Sequence, residues 1–241
     1  MSPARQVFIS GATRGIGRAM AEYFHDQGDT ILFCYRERED LAKELTWEEG
    51  YYGFRCDLAD EEAVQGMVDE VLEGFGRVDV LINNAGKAHE GLFQDLSGAD
   101  LHDLFATNVF GPYYLTKALL PSMIHRRAGK ILNLSSIWGS RGAANEVAYA
   151  MTKGAVEQMT RSLALELAPS GIQVNALAPG VVDTDMMAHF SPSDRQEIAA
   201  NIPLGVFATP TQVAKLAYFM VSDAASYLTG QVVALNGGMG V

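Results

Sequence analysis

Seven short runs rich in β-branched and aromatic residues, VFIS, TILFCY, YGFRCD, VDVLINN, KILNLSS, IQVNALAP and QVVALN, punctuate the chain. Between them lie segments of 3.6-residue periodicity at residues 16–27, 61–75, 101–126, 150–167 and 211–223. The runs are apolar at consecutive positions rather than alternate ones, so each strand needs cover on both faces. Such strands alternating with helices predict an α/β chain with a seven-stranded parallel sheet, a doubly wound Rossmann fold.

No Pro- or Ser-rich linker, low-complexity tract or fixed-period repeat interrupts this rhythm, so residues 1–241 are read as one nucleotide-binding domain. Residues 183–210 depart from it: they carry prolines, polar residues and a short helical patch at 193–201 before IPLGVFATP. A lid or substrate loop at the carboxyl edge of the sheet is expected there. The chain is 48% apolar and 20% charged, which excludes disorder, collagen and coiled coil. With 18 basic and 29 acidic residues it carries a net charge of −11, which disfavours nucleic acid and anionic lipid as partners. The start, MSPARQVFIS, has neither the charged nor the apolar region of a secretory signal, and no apolar run is long enough to span a bilayer. A cytoplasmic location is expected. Cys34 and Cys56 lie in apolar stretches without CxxC spacing, so they read as buried thiols, and no metal site is expected.

Behind the first strand comes Ser10-Gly11-Ala12-Thr13-Arg14-Gly15-Ile16-Gly17, followed at once by a helix. Glycines at this spacing let the backbone approach a pyrophosphate, and the helix N-terminus offers unpaired N–H groups and a positive dipole end. Where an acidic residue ending the second strand would accept from an adenosine 2′-OH, this chain has Tyr35-Arg36. Arg36 and Arg14 can converge on a 2′-phosphate, which favours NADP(H), although Glu37 and Glu39 nearby leave room for two merely solvated arginines. Asp57, ending the third strand, could accept from the adenine amino group. Asn83-Asn84-Ala85-Gly86 would let the backbone pass close to the adenine ribose. Either element could instead serve a turn.

Tyr149 and Lys153 stand four residues apart in AYAMTKGAVEQM, so on a helix both emerge on one face. A free tyrosine is a poor acid at neutral pH; a neighbouring ammonium favours the phenolate and should bring its pKa down. Ser136, ending the strand before, can donate to a carbonyl oxygen as charge develops on it, or simply cap the next turn.

With these motifs in order, the chain resembles the short-chain dehydrogenase/reductase family, in its compact NADP-dependent branch, over essentially its whole length. Gly11, Gly15 and Gly17 match the family's glycine motif, Asn83 to Gly86 its NNAG, Asn108 the asparagine of its central helix, Ser136, Tyr149 and Lys153 its catalytic trio, and Pro179-Gly180 its PG turn. The resemblance implies that Tyr149 protonates the nascent alkoxide, Ser136 positions the carbonyl, and Lys153 also holds the nicotinamide ribose. It further implies that Asn108 anchors a water of the proton relay and that Val182 and Thr184 contact the nicotinamide amide. A homotetramer built on the two central helices and the last strand is implied as well.

Within the family, GLFQDLS, TNVFGPYYLTKALLPSM, PGVVDTDM and IPLGVFATP look most like 3-oxoacyl-carrier-protein reductases. Two features depart from them. Of the two basic residues expected to face the acidic acyl carrier protein, Arg127 fits one place, but Ser170 occupies the other, and the charge of −11 opposes an acidic partner. SSIWGSRGAANEVAYAMTK instead looks like a subgroup associated with reducing the 5-aminopentanone modification on elongation factor P. There Glu146, three residues before the tyrosine, could pair with a substrate ammonium, or be a solvated loop residue. A cofactor-binding sensor without catalysis is a third reading, against which the intact Asn108, Ser136, Tyr149 and Lys153 set argues.

Overall fold

In the computed structural model, which describes residues 4–188 and 190–240, consecutive residues of the central strands serve opposite layers. The strands are β1 (Gln6–Ser10), β2 (Thr30–Tyr35), β3 (Tyr51–Arg55), β4 (Val80–Asn83), β5 (Gly129–Leu134), β6 (Ile172–Pro179) and β7 (Val232–Leu235). The helices are α1 (Gly15–Asp26), α2 (Glu39–Thr46), α3 (Glu61–Phe75), α4 (Gly98–Phe105), α5 (Gly111–Arg126), α6 (Val147–Leu167), α7 (Pro192–Ala200) and α8 (Pro210–Met220). Val7, Ile9, Ile31, Phe33, Val80 and Ile82 pack toward Met20 and Phe24 of α1 and Val213 and Ala217 of α8. Phe8, Leu32, Leu81 and Ile131 pack the other way, toward Val64 and Met67 of α3, Leu115 and Leu119 of α5, and Ala164 and Leu167 of α6. This two-sided burial is why the strands read as unbroken apolar runs.

All seven strands pair in parallel, in the order β3-β2-β1-β4-β5-β6-β7. The winding direction reverses between β1 and β4, and the crevice at the carboxyl ends beside such a reversal is where an open α/β sheet binds ligands. Ser10, Asn83, Leu134 and Pro179 end their strands along this edge. Within the expected lid, residues 183–210, α7 is closed by a capping box between Ser191 and Asp194; residue 189 lies outside the described residues.

Three local differences from the sequence reading have physical causes. Helix α2 was not expected, because it buries only Ala42 and Leu45, too few to set up a periodic stripe. The expected helix 101–126 is divided: α4 passes through a π-helical segment, Ala106–Phe110, into α5. Pro112 has no N–H to give the carbonyl four residues back, that of Asn108, so the α-helical ladder cannot run through this point. Helix α6 begins at Val147, ahead of the expected residue 150, which brings Tyr149 inside it.

Candidate active site

β5 ends at Leu134, so Ser136, expected to end the strand, lies two residues beyond it and caps the 3-10 turn Ile137–Gly139, its Oγ accepting from the Trp138 N–H at 3.3 Å. The same side chain favours the Tyr149 phenolate, so capping and an influence on the tyrosine coexist. Lys153 is buried, its Nζ donating to the Leu134 carbonyl at 2.8 Å and lying 5.5 Å from the centre of the Tyr149 ring. One backbone acceptor leaves the ammonium two further protons to donate. Asn108 is also buried: its Oδ1 accepts from Lys87 N at 2.8 Å, and its Nδ2 donates to Lys87 O at 2.9 Å and Thr152 Oγ1 at 3.1 Å. Its side chain is therefore spent on tying the loop after β4 to α6.

The electrostatics correct one expectation. The ammonium was expected to bring the phenol down, but burial pushes Tyr149 up to about 12, Ser136 opposing and the Glu146 carboxylate adding to the rise. Burial also pulls the Lys153 ammonium down, to about 8. In the free protein the trio is thus a neutral phenol above a lysine that gives up its charge slightly above neutrality.

Beside the trio lies the glycine loop. Asn84 Nδ2 donates to the carbonyls of Ser10 at 2.9 Å and Gly11 at 3.1 Å, locking the end of β4 to the loop, while Thr13 is buried and Ile16 half-buried. Gly15 has a φ of +56°, and a Cβ built there would meet nothing nearer than the Thr184 methyl at 3.6 Å. That open cradle at a helix N-terminus, with spare protons on Lys153, fits a dinucleotide's pyrophosphate and ribose. Gly86 lines the same space, a Cβ there lying 3.6 Å from Lys153 Nζ, and Ala85 N donates to Ser10 Oγ at 3.0 Å. Across the crevice Pro179 is buried, and Gly180 N donates to Leu235 O at 2.9 Å. Val182 is buried and bridges Ala208, so the strand end and the lid base hold each other.

At the tip of β2 the exposed Arg36 meets Glu37 at 2.6 Å and Asp57 at 3.9 Å, while Arg14 makes no ion pair among the described residues. Asp57 spends one oxygen on the Ala59 N–H at 3.0 Å, the turn role left open for it. The sequence reading missed two neighbours: Arg38, paired with Asp40 at 2.7 Å, and Arg55, whose Nε donates to Arg36 O at 3.3 Å. Arg55 ends β3, and the β2–β3 register opposite Tyr35 was the signal that could have found it. Around Glu146 the reading missed Glu90 and Trp138. Burial first, then the Glu90 carboxylate, holds the Glu146 carboxyl above the usual carboxylate range, with a hydrogen bond from Trp138 pulling the other way. Glu146 is half-buried, not a solvated loop residue. Arg127, expected near the entrance, caps the far end of α5 and donates to Pro169 O at 2.8 Å. It precedes β5, so within one chain it sits at the sheet edge opposite Ser136.

A family model described as Enoyl-(Acyl carrier protein) reductase matches residues 11–240. An uncharacterized oxidoreductase of Bacillus subtilis, YmfI, is 38% identical, covering 97% of this chain and 98% of that protein. The 3-oxoacyl-[acyl-carrier-protein] reductase FabG of Aquifex aeolicus is 38% identical over 96% of this chain and 95% of its own. FabG of Staphylococcus aureus is 35% identical over 99% of both. The solved structure described as ElxO with NADP bound superposes with a TM-score of 0.92 at 31% identity, over 98% of each chain.

Proposed function

The chain belongs to the short-chain dehydrogenase/reductase family, and from that premise we propose that it is an NADPH-dependent reductase of ketones in which Tyr149 is the proton donor. The observation that carries this reading is Ser136 and Tyr149 brought together over a buried Lys153 with protons to spare. NADPH, when bound, supplies the hydride. Every proton movement then falls to this chain. Tyr149 gives its phenolic proton to the oxygen of the reduced carbonyl, Ser136 donates to that oxygen and orients it, and Lys153 stabilises the phenolate left behind. Since the Asn108 side chain is fully engaged, the relay water is assigned to its main-chain carbonyl, which lacks the Pro112 donor. Gly11 to Gly17 would hold the pyrophosphate, Arg14 and Arg36 the 2′-phosphate, Asp57 the adenine, Asn84 to Gly86 the adenosine ribose, and Pro179 to Thr184 the nicotinamide. Arg36 must exchange Glu37 for the phosphate, a trade favoured because an exposed ion pair is worth little.

For the substrate, we assign a 3-oxoacyl group on a carrier protein or other thioester, supported by the activities printed for the FabG relatives. The residues around Tyr149 favour a second reading, an aminoketone such as the 5-aminopentanone modification on elongation factor P. Half-buried Glu146 raises Tyr149 and is itself held up by the charge of the exposed Glu90, a concentration of negative charge suited to a substrate ammonium. Self-association through α5 and α6, as in the family's tetramer, is supported by exposed Tyr113 and Ile124, which line an apolar groove with Met159 and Leu163. Residues 183–210 are assigned as the substrate lid, and the cytoplasm as the site of action.

Glu146→Gln separates the substrate readings. With a cationic aminoketone it removes a counter-charge at constant size, and kcat/KM should fall about tenfold or more, as expected for a charged hydrogen bond of about 1.5–3 kcal/mol. With an uncharged isostere or a 3-oxoacyl thioester it should be neutral or slightly favourable, because a carboxylate opposes the developing alkoxide. The assay belongs at low ionic strength, where screening does not hide a half-exposed pair. Equal losses on all three substrates would contradict the aminoketone reading.

A further inference from the structure

One turn beyond Lys153 on α6, Glu157 is a carboxylate only 1% exposed. Its Oε1 accepts from the Ser135 hydroxyl at 3.0 Å and its Oε2 from Arg161 at 3.0 Å, the arginine itself being 45% exposed. The carboxylate is pressed against the turn after β5. A Cβ built on Gly139 would overlap Glu157 Oε1 and lie 2.5 Å from Ser135 Oγ. The turn closes on itself through Gly139 N donating to Ser136 O at 2.9 Å, and a Cβ on Gly154 of α6 would lie 3.2 Å from Gly139 O. Ser135, Glu157 and Gly139 thus enclose the turn from which Ser136 reaches Tyr149.

Packing alone gives no reason for a charge here, since a buried ion pair generally stabilises no more than an apolar side chain of the same volume. What a leucine could not do is accept the Ser135 hydroxyl and so fix the turn to the helix that carries Tyr149 and Lys153. We propose that Glu157 is a positioning residue for the reduction: through Ser135 it holds the turn carrying Ser136, and so sets where the Ser136 hydroxyl stands relative to Tyr149 and Lys153. The inference rests on the role assigned to Ser136 above. A small displacement of an orienting hydroxyl is costly in turnover while leaving cofactor binding alone.

The test is a double-mutant cycle on the full chain, reading kcat and KM with NADPH and a 3-oxoacyl thioester, together with NADPH affinity and thermal melting. Glu157→Leu should lower kcat about tenfold and change NADPH affinity less than about twofold, and Glu157→Gln, which keeps an oxygen for Ser135, should retain most of kcat. On a Ser136→Ala background, Glu157→Leu should have no further effect. If Glu157→Leu does not fold, Ser135→Ala, which deletes only the hydroxyl link, replaces it in the cycle with the same expectation. A Glu157 effect of equal size in both backgrounds, or no effect in either, overturns the positioning role. Normal turnover by Ser136→Ala alone overturns instead the reading on which it rests.

Discussion

A phenol that must surrender a proton near neutrality sits here where burial makes that harder, and the residues around it decide how the obstacle is met. Tyr149, pushed up to about 12, is fully protonated wherever the protein is folded at ordinary pH, which is the state a proton donor to a ketone requires. Lys153, pulled down to about 8, is the group that titrates in the working range. Reduction needs both protonated, the lysine to support the phenolate formed in the transition state. For ketone reduction, kcat/KM, which reports the free enzyme, should therefore be level at neutral pH and fall as pH rises through about 8. A profile that stays level to about pH 10, or one that rises, would contradict the assignment of Lys153. Tyr149, Lys153 and the glycines were legible in the sequence because their chemistry lies in local spacing, four residues along a helix or one strand-to-helix turn. The Glu90–Glu146 approach and the Arg36–Glu37 contact were not, since side-chain direction and partners from another loop decide them.

Among elements, the pairing of β4 with β5 carries the site, because Asn83 and Asn133 sit opposite each other just below the loops that bear Asn84 and Ser136. Asn83 Nδ2 donates to Asn133 Oδ1 at 2.8 Å and to Thr116 Oγ1 at 3.2 Å, and Asn133 Nδ2 donates to Thr160 Oγ1 at 2.8 Å, so one buried amide chain links two strands to α5 and α6. Asn133 is completely buried, and Asn133→Ala should destabilise the fold by about 1–3 kcal/mol by stranding its partners. Denaturant melts at constant m-value measure this, and an unchanged midpoint would contradict the linkage. The strands were readable as elements, but this internal polar chain was not: asparagines at strand ends suggest turns, and only the parallel register shows them facing inward. The π-helical segment at Asn108 was hidden for a related reason, the apolar period running on through it while Pro112 alone withholds a donor.

At the scale of the whole molecule, the doubly wound sheet gathers the ends of β1, β4, β5 and β6 along one edge, so that motifs spread from Gly11 to Thr184 meet in one crevice. The opposite edge holds Arg127, and the net charge of −11 sets the molecule against acidic partners generally. Neither feature bears on the chemistry itself, which rests on a proton passing from Tyr149 to a carbonyl oxygen. The direct test is rapid-mixing single-turnover oxidation of NADPH by an activated ketone, comparing the unaltered chain with Tyr149→Phe, which keeps the ring's packing and removes only the donor. The account predicts that the variant folds, binds NADPH with unchanged affinity and loses turnover by at least about a hundredfold; single-turnover reduction at a near-normal rate by Tyr149→Phe would contradict it.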